Sequence, residues 1–343
     1  MADPLLEIRD LKVSFRTDDG LVRAVDGVSA TLYPGETLGI VGESGSGKSV
    51  TMMSVMRLIT DPNAQFEGEV IYKGTNLMGL TQDQIRSIRG AGIGMIFQDP
   101  MTSLNPVYKV GWQIEEQIRE HDKVSRQAAR DRVIQLLTSV GIPNARERVD
   151  AYPHQFSGGM RQRVMIAMAI SCNPDVLIAD EPTTALDVTI QAQILGLIKK
   201  LREEHGTAVV LITHDMGVVA EMADRIAVMY AGRIVEQGTH RELFYDPLHP
   251  YTWGLLGSIA RLDRPRPRRL TAIPGLPPSL MRLPPGCAFA DRCAHRFAKC
   301  EEQRPELLDR SGSGHLDACH LSIQQKREIR DQEVHPELVE EKQ

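Results

Sequence analysis

The sequence of 343 residues has few cysteines, few aromatic residues and no long apolar segment. Aromatic residues make up only 5%, but 42% of the residues are hydrophobic and 25% are charged, which is typical of a globular chain with a sizeable core. The longest apolar stretch, 164–172, is about half the length that crosses a bilayer. The first seven residues lack the basic and apolar regions of a signal peptide. These absences predict a cytosolic protein that reaches a membrane only through a partner.

The net charge and the positions of the cysteines indicate which ligands the protein binds. A net charge of −5 argues against a general basic surface for nucleic acid. Four of the five cysteines cluster near the C-terminus, which in a reducing compartment suggests a metal rather than disulfides: Cys287, Cys293, Cys300 and Cys319. The fifth, Cys172, lies in an apolar helical segment and is expected in the core.

A glycine-rich segment, 42–49, stands between an apolar run and a helical pattern. Strand, glycine-rich loop and helix follow one another in this order in a phosphate-binding P-loop, whose backbone N–H groups and helix dipole attract an anion. Lys48 is expected to reach the β- and γ-phosphates, and Ser49 to ligate Mg²⁺. The alternative, a glycine-rich turn without a ligand, does not explain the strand and helix on either side. The predicted nucleotide-binding residues of this segment are Gly42, Ser44, Gly45, Gly47, Lys48, Ser49 and Val50.

Periodicity predicts an α/β chain. Residues 6–15 and 24–32 alternate as antiparallel strands do, and Phe15 is either a platform for an adenine ring or part of the strand core. Short apolar runs predict buried strands at 92–97, 176–179 and 208–212, and a hairpin turns at 231–232. Between them, residues 110–170 have a helical pattern and predict a helical subdomain at about 100–170.

The composition changes near residue 246, where proline and arginine become frequent. This change predicts a domain boundary, with a core domain at 1–245, a small cysteine-rich extension with a four-cysteine cluster site at 246–335 and a charged tail at 336–343. The Arg-Pro run 264–269 is interpreted as a solvated linker. The chain from Gln324 onward is highly charged, which predicts a frayed or disordered end.

A second glycine-containing motif, Ser157-Gly158-Gly159, opens another helix and is expected to bind an anion in the same way as the P-loop. Two phosphate-binding segments with one catalytic strand indicate a site shared across a dimer interface. Here residues 1 to about 245 resemble the ATP-binding-cassette (ABC) ATPases, with Met160 standing where the family signature has glutamine. The other matching positions follow in family order: Gln98 of the Q-loop, Asp180 and Glu181 of Walker B, 185–187 of the D-loop, and the switch histidine His214.

The resemblance implies a P-loop NTPase core with an antiparallel β subdomain and a helical subdomain, and a head-to-tail dimer of two such chains. ATP on the P-loop would be covered by the partner's signature motif and D-loop, the positions that Ser157, Gly158, Gly159 and Asp187 hold here. Ser49, Gln98 and Asp180 would hold Mg²⁺. Glu181 would polarise the attacking water, and His214 would contact the γ-phosphate.

Three further segments, 97–106, 249–252 and 284–287, resemble ATP-binding subunits of bacterial dipeptide and oligopeptide importers. This implies an ATPase at the cytoplasmic face of the inner membrane, bound to a paralogous ATPase and two transmembrane permease subunits, and served by an extracytoplasmic peptide-binding protein. It also implies a [4Fe–4S] cluster on the four clustered cysteines, with structural zinc as the alternative. Other interpretations are an importer of nickel or glutathione, a soluble ABC ATPase acting on nucleic acid or in translation, and the cytosolic part of an exporter.

Overall fold

The computed structural model describes residues 3–99, 103–184, 187–258 and 273–333. The chain forms two compact units. The first contains the described residues of Met1–Leu5, Leu32–Thr37 and Lys73–Ile212, and the second those of Leu6–Thr31, Leu38–Tyr72 and Thr213–Gln343.

The described strands and helices alternate along much of the chain. The strands are β1 (Leu6–Thr17), β2 (Gly20–Leu32), β3 (Thr37–Val41), β4 (Ala64–Tyr72), β5 (Thr75–Asn76), β6 (Ile93–Ile96), β7 (Val176–Asp180), β8 (Ala208–Thr213), β9 (Arg225–Tyr230), β10 (Arg233–Thr239), β11 (Leu308–Asp309) and β12 (Leu316–Asp317). The helices are α1 (Lys48–Val55), α2 (Gln82–Ile88), α3 (Val110–His121), α4 (Arg126–Ser139), α5 (Ala145–Arg148), α6 (Gly158–Ala169), α7 (Val188–His205), α8 (Met216–Met222), α9 (His240–Tyr245), α10 (Pro250–Gly257), α11 (Ala298–Glu302) and α12 (Ile323–Glu333). Single 3₁₀ turns lie at Leu77–Gly79, Pro153–Gln155 and Ala290–Arg292.

Three parallel strands form the centre of the first unit, in the order β8-β7-β6. Every residue of these strands is buried. Continuous apolar runs are typical of parallel strands covered on both faces, so the predicted buried strands are confirmed. Val176 of β7 lies opposite Ile93 of β6 and Ala208 of β8, and this register brings the carboxyl ends of the strands to one edge.

The predicted helical segment of the first unit is confirmed as four helices, α3 to α6. Their core includes Ile114 and Ile118 of α3 and Val133 and Leu137 of α4, each with 0% exposed surface. The spacing of four residues within each pair places these side chains on one face of each helix, where their burial stabilises the bundle.

The second unit contains an antiparallel sheet in which β1 lies between β2 and β4. A bulge in β1 shifts its pairing with β4 between Arg9 and Lys12. Gly68 of β4 faces this bulge with φ +90°, and a Cβ there would clash with the carbonyl oxygens of Arg9 and Asp10. The antiparallel strands predicted near the N-terminus are confirmed.

A second sheet of this unit runs from β3 to the C-terminal part of the chain. β3 pairs in parallel with β9, and β9 pairs with β10 in the predicted hairpin. Ala231 and Gly232 both have positive φ at its turn, +46° and +79°. β10 then pairs with β12, and β12 with β11, both antiparallel, so the C-terminal extension continues the sheet of the P-loop strand.

The prediction of a disordered chain from Gln324 onward is wrong for residues up to 333. Helix α12 occupies Ile323–Glu333, and the fully buried Lys326 of this helix forms an ion pair with the fully buried Asp317. Arg330 of the same helix pairs with Asp246. Two of the charges that indicated disorder are therefore neutralised by partners outside the helix, at positions 317 and 246. The Arg-Pro run 264–269 and the tail 336–343 lie outside the described residues.

Within the part of the chain that the structure describes, no helix combines the length and the apolar character needed to cross a bilayer.

Candidate functional site

The glycine-rich loop connects the buried strand β3 to helix α1. Gly42, Gly45 and Gly47 have φ of +153°, +78° and +100°, a backbone region that favours glycine. At Gly47, which precedes the first helical residue, a Cβ would clash with the carbonyl oxygen of Ala24. The loop therefore takes a shape that side chains at these positions would prevent, and it ends at the positive end of the dipole of α1.

Lys48 opens α1 and is 5% exposed. Its Nζ donates hydrogen bonds to the carbonyl oxygens of Gly42, at 2.7 Å, and Glu43, at 2.9 Å. Ser44 and Gly45 at the tip of the loop are exposed, and Ser49 is half-buried. An ammonium group held under an open loop of backbone amides is suited to bind phosphate.

Glu43, inside this loop, contacts two residues of the C-terminal extension. Its backbone N–H donates to the Tyr251 hydroxyl at 2.8 Å, and its carboxylate forms a bidentate pair with Arg292 at 2.6 and 2.9 Å. The hydrogen bond to Glu43 raises the pKa of Arg292, and burial raises that of Tyr251. Sequence reasoning missed these contacts, because 208 and 249 residues separate the partners.

In the first unit, two of the predicted catalytic residues meet at the end of β7. Gln98 Nε2 donates a hydrogen bond to Glu181 Oε2 at 2.9 Å, and the Thr184 hydroxyl donates to the same oxygen at 2.9 Å. Glu181 has a positive φ of +46°, and its N–H donates to the Ile212 carbonyl. Asp180, the last residue of β7, is 4% exposed. The Glu181 carboxylate is thus held by its neighbours, as a group that orients a water molecule must be.

The signature motif begins α6. Ser157 is its N-cap and accepts a hydrogen bond from the N–H of Met160. Ser157 and Gly158 are exposed and Gly159 is half-buried, so the N-terminus of this helix is open to a ligand. Behind it, buried Gln162 donates to the carbonyl oxygen of Pro182 at 2.7 Å, which connects the motif to the segment that follows Glu181.

The remaining predicted residues lie on strand and helix ends. Asp187 caps α7 by accepting from the N–H of Ile190, and its D-loop neighbours 185–186 lie outside the described residues. His214 is exposed after β8. Phe15 is half-buried on β1, which leaves both interpretations of this ring open.

The four clustered cysteines line a single cavity, together with His295 and His320. Burial raises the pKa of the Cys287 and Cys319 thiols to about 11. Within the described residues, no group of three or more His, Cys, Asp or Glu side chains is placed to hold a metal ion. The iron–sulfur and zinc predictions are therefore not confirmed. Cys172 is half-buried rather than fully buried.

In a comparison with known proteins, the N-terminal and the C-terminal part of the chain each match a protein family. Residues 25–184 match the model described as ABC transporter, and residues 235–300 match that of the oligopeptide/dipeptide transporter C-terminal region. The oligopeptide transport ATP-binding protein OppD of Bacillus subtilis is 56% identical over 89% of this chain and 85% of its own. The chain belongs to the oligopeptide/dipeptide family of ABC transporter ATP-binding proteins. The dipeptide transport ATP-binding protein DppD of the same organism is 54% identical, over 94% of this chain and 96% of its own.

Solved structures of ABC cassettes share the fold. The dimeric structure of MJ0796, a bacterial ABC transporter cassette, aligns with a TM-score of 0.62 at 30% identity, covering 69% of this chain and 99% of the cassette. A second dimeric structure of MJ0796, in a post-hydrolysis state bound to ADP and Pi, aligns with the same TM-score at 29% identity and the same coverage. The predicted family and the ABC ATPase fold are confirmed.

Proposed function

We propose that this ABC family member is the ATP-hydrolysing subunit that energises import of dipeptides or oligopeptides through a membrane transporter. The observation that carries the proposal is the P-loop, which holds Lys48 beneath an open cradle of backbone amides. The match of residues 235–300 to the C-terminal region of oligopeptide and dipeptide transporters, and relatives with more than half of their aligned residues identical, support peptides as the cargo.

Nucleotide binding is assigned to the loop and the start of α1. The amides of Gly45 and Gly47 and the ammonium of Lys48 offer positive partners to the phosphates, while Ser49 supplies a hydroxyl for Mg²⁺. Because phosphoryl transfer needs charge stabilisation more than covalent chemistry, these groups would act mainly by holding the phosphates in place. Phe15 is proposed as the surface on which the adenine ring stacks.

Hydrolysis is assigned to residues at the ends of β6, β7 and β8. Glu181 would accept a hydrogen bond from the attacking water, since Gln98 and Thr184 already fix one of its oxygens. Asp180 and Gln98 would complete the oxygen ligands of Mg²⁺. His214 would contact the γ-phosphate, where an imidazole stabilises developing negative charge.

A second cassette is proposed to complete the site. Ser157 and Gly158 are exposed at a helix N-terminus, and Asp187 is exposed at another, so all three are accessible to a nucleotide on a partner chain. Two solved structures of the MJ0796 cassette, which shares this fold, are dimeric by description. We infer a head-to-tail dimer, with a paralogous cassette as the partner.

The contact with the permease subunits is assigned to the helical part of the first unit. Tyr108 and Trp112 stack at 4.3 Å between ring centroids, are 45% and 37% exposed, and line a groove of about 680 Å³. Exposed aromatic pairs of this kind are typical of protein interfaces. Docking of a permease subunit here, in a complex with two such subunits, would place the protein at the cytoplasmic face of the inner membrane, with peptide delivered by an extracytoplasmic binding protein.

The cysteine cavity is proposed to hold a [4Fe–4S] cluster. The donor types fit, because four thiols line one cavity of the extension, although within the described residues they are not arranged around a common metal position. At a pKa of about 11 the Cys287 and Cys319 thiols are neutral near pH 7, so iron binding must release their protons. Bound there, a cluster would crosslink 287–319. A zinc ion on the same thiols is the alternative.

ATP hydrolysis by the Glu181→Gln variant tests the proposed chemistry. The amide keeps the size and hydrogen bonding of the side chain but is a poor base, so turnover should fall by about 100-fold or more. Binding of MgATP, measured by equilibrium titration, should be retained within about threefold. Turnover at the rate of the unchanged protein would contradict the assignment of Glu181.

A further inference from the structure

All three polar groups of Glu43 are engaged, and two of them reach the C-terminal extension. The carbonyl oxygen accepts from Lys48, the N–H donates to Tyr251, and the carboxylate pairs with Arg292. Glu43 therefore joins the extension to the phosphate loop, and its carbonyl oxygen holds Lys48 in the same loop.

Arg292 is built into the extension as a rigid group. It is 7% exposed, its Nε donates to the carbonyl oxygen of Pro274 at 2.9 Å, and its guanidinium lies over the rings of Tyr230 and Phe289 at 5.8 and 5.9 Å. It ends the 3₁₀ turn that leads directly into Cys293, so it is fixed to the wall of the cysteine cavity. A planar guanidinium held by two rings and a carbonyl oxygen presents its fork in one direction, toward the Glu43 carboxylate.

The pair has an electrostatic consequence for the loop. A carboxylate one residue away from Gly42 in a phosphate cradle repels an anionic ligand unless a cation neutralises it. Arg292 supplies that cation and, by binding both carboxylate oxygens, also fixes where the carboxylate lies. Without Arg292, the carboxylate would be free to bind the Lys48 ammonium, which is needed for phosphate.

Resting on the ATPase function proposed above, we propose that Arg292 is a positioning residue for nucleotide binding. It neutralises and immobilises Glu43, and through this contact the C-terminal extension sets the affinity of the P-loop for ATP. Among the described residues, Arg292 donates hydrogen bonds to Glu43, Tyr230, Pro274 and Ile273, and it acts on the loop through Glu43.

The test is a double-mutant cycle in the full-length protein, with Kd for MgATP measured by equilibrium titration. Arg292→Met should raise Kd about tenfold, within the range of mutations that act on a site without touching its ligand. Glu43→Gln should not raise Kd, because it removes the carboxylate and leaves the Arg292 cation beside the loop, and the double variant should regain most of the lost affinity, because the repelling charge is gone. At saturating ATP, kcat should change little in all three, so that the effect appears in KM.

The control variant is Arg296→Met, which removes an exposed arginine that pairs with Asp291 on the same extension and should leave Kd unchanged. If Arg292→Met does not fold, Arg292→Lys keeps the charge but loses the bidentate contact, and should raise Kd about threefold, reversed by Glu43→Gln. Wild-type affinity in a folded Arg292→Met or Arg292→Lys variant, or no rescue by Glu43→Gln, would overturn the proposal. Failure of the unchanged protein to bind MgATP would instead refute the ATPase function.

Discussion

At the scale of single residues, the phosphate loop requires glycines, because a side chain at these positions would disturb its backbone. Gly47 has φ +100°, and the space a Cβ would need is occupied by the backbone of Ala24. Gly45 has a similar φ of +78° but open space around it. A side chain at Gly45 would therefore strain only the backbone conformation, whereas a side chain at Gly47 would also clash with a neighbouring backbone.

Replacement of these two glycines by alanine should have unequal effects. Gly45→Ala should lower the free energy of unfolding by about 1 kcal/mol, because alanine is strained in the left-handed backbone conformation. Gly47→Ala must also move the loop away from a neighbouring backbone, and should cost about 2 kcal/mol or more and weaken MgATP binding. Chemical denaturation and nucleotide titration of both variants measure this, and equal losses would contradict the account of Gly47.

Local residue patterns could be predicted from the sequence because their physics is local. The P-loop requires glycines, a lysine and a helix start within eight residues, all of which are visible in the sequence. The hydrogen bond between Gln98 and Glu181 spans 83 residues, and the sequence predicts only that both residues act at the same site. The Glu43–Arg292 pair spans 249 residues and follows no local pattern, so only the folded chain reveals it.

At the scale of elements, strands were predicted better than the C-terminal extension. The strands β6, β7 and β8 are continuous apolar runs that need no specific partner to be recognised. Helix α12 looks disordered by composition, yet its buried Lys326 pairs with Asp317. A buried charge is tolerated only when it is paired, and composition carries no information about pairing.

The extension also carries the cysteine cavity, which makes a separate prediction. If a [4Fe–4S] cluster is bound there, anaerobically purified protein should show a broad visible absorbance that Cys287→Ser removes. Cys172→Ser, which changes the cysteine outside the cavity, should leave the absorbance unchanged. A colourless unchanged protein that contains zinc by metal analysis would show that the alternative is right.

At the scale of the whole molecule, the chain contains the residues expected of an ATPase together with exposed surfaces suited to contact other subunits. It offers a phosphate loop with Lys48, a fixed carboxylate at Glu181 and an exposed signature motif. The proposed roles of the exposed Ser157 and of the stacked Tyr108 and Trp112 require other chains to complete the function. The sequence predicts a shared site from two phosphate-binding segments, whereas the identity of the cargo rests on relatives.

The most direct test is peptide uptake by the complete transporter, reconstituted in vesicles with its permease subunits, second cassette and binding protein. Labelled dipeptides and oligopeptides are supplied on the side of the binding protein, with MgATP on the side of this chain. We predict ATP-dependent accumulation of peptide that Lys48→Ala reduces to the level seen without ATP, since the lysine is needed to hold the phosphates. Uptake that persists undiminished with Lys48→Ala, or the absence of ATP-dependent uptake of any peptide by the unchanged complex, would contradict the proposed function.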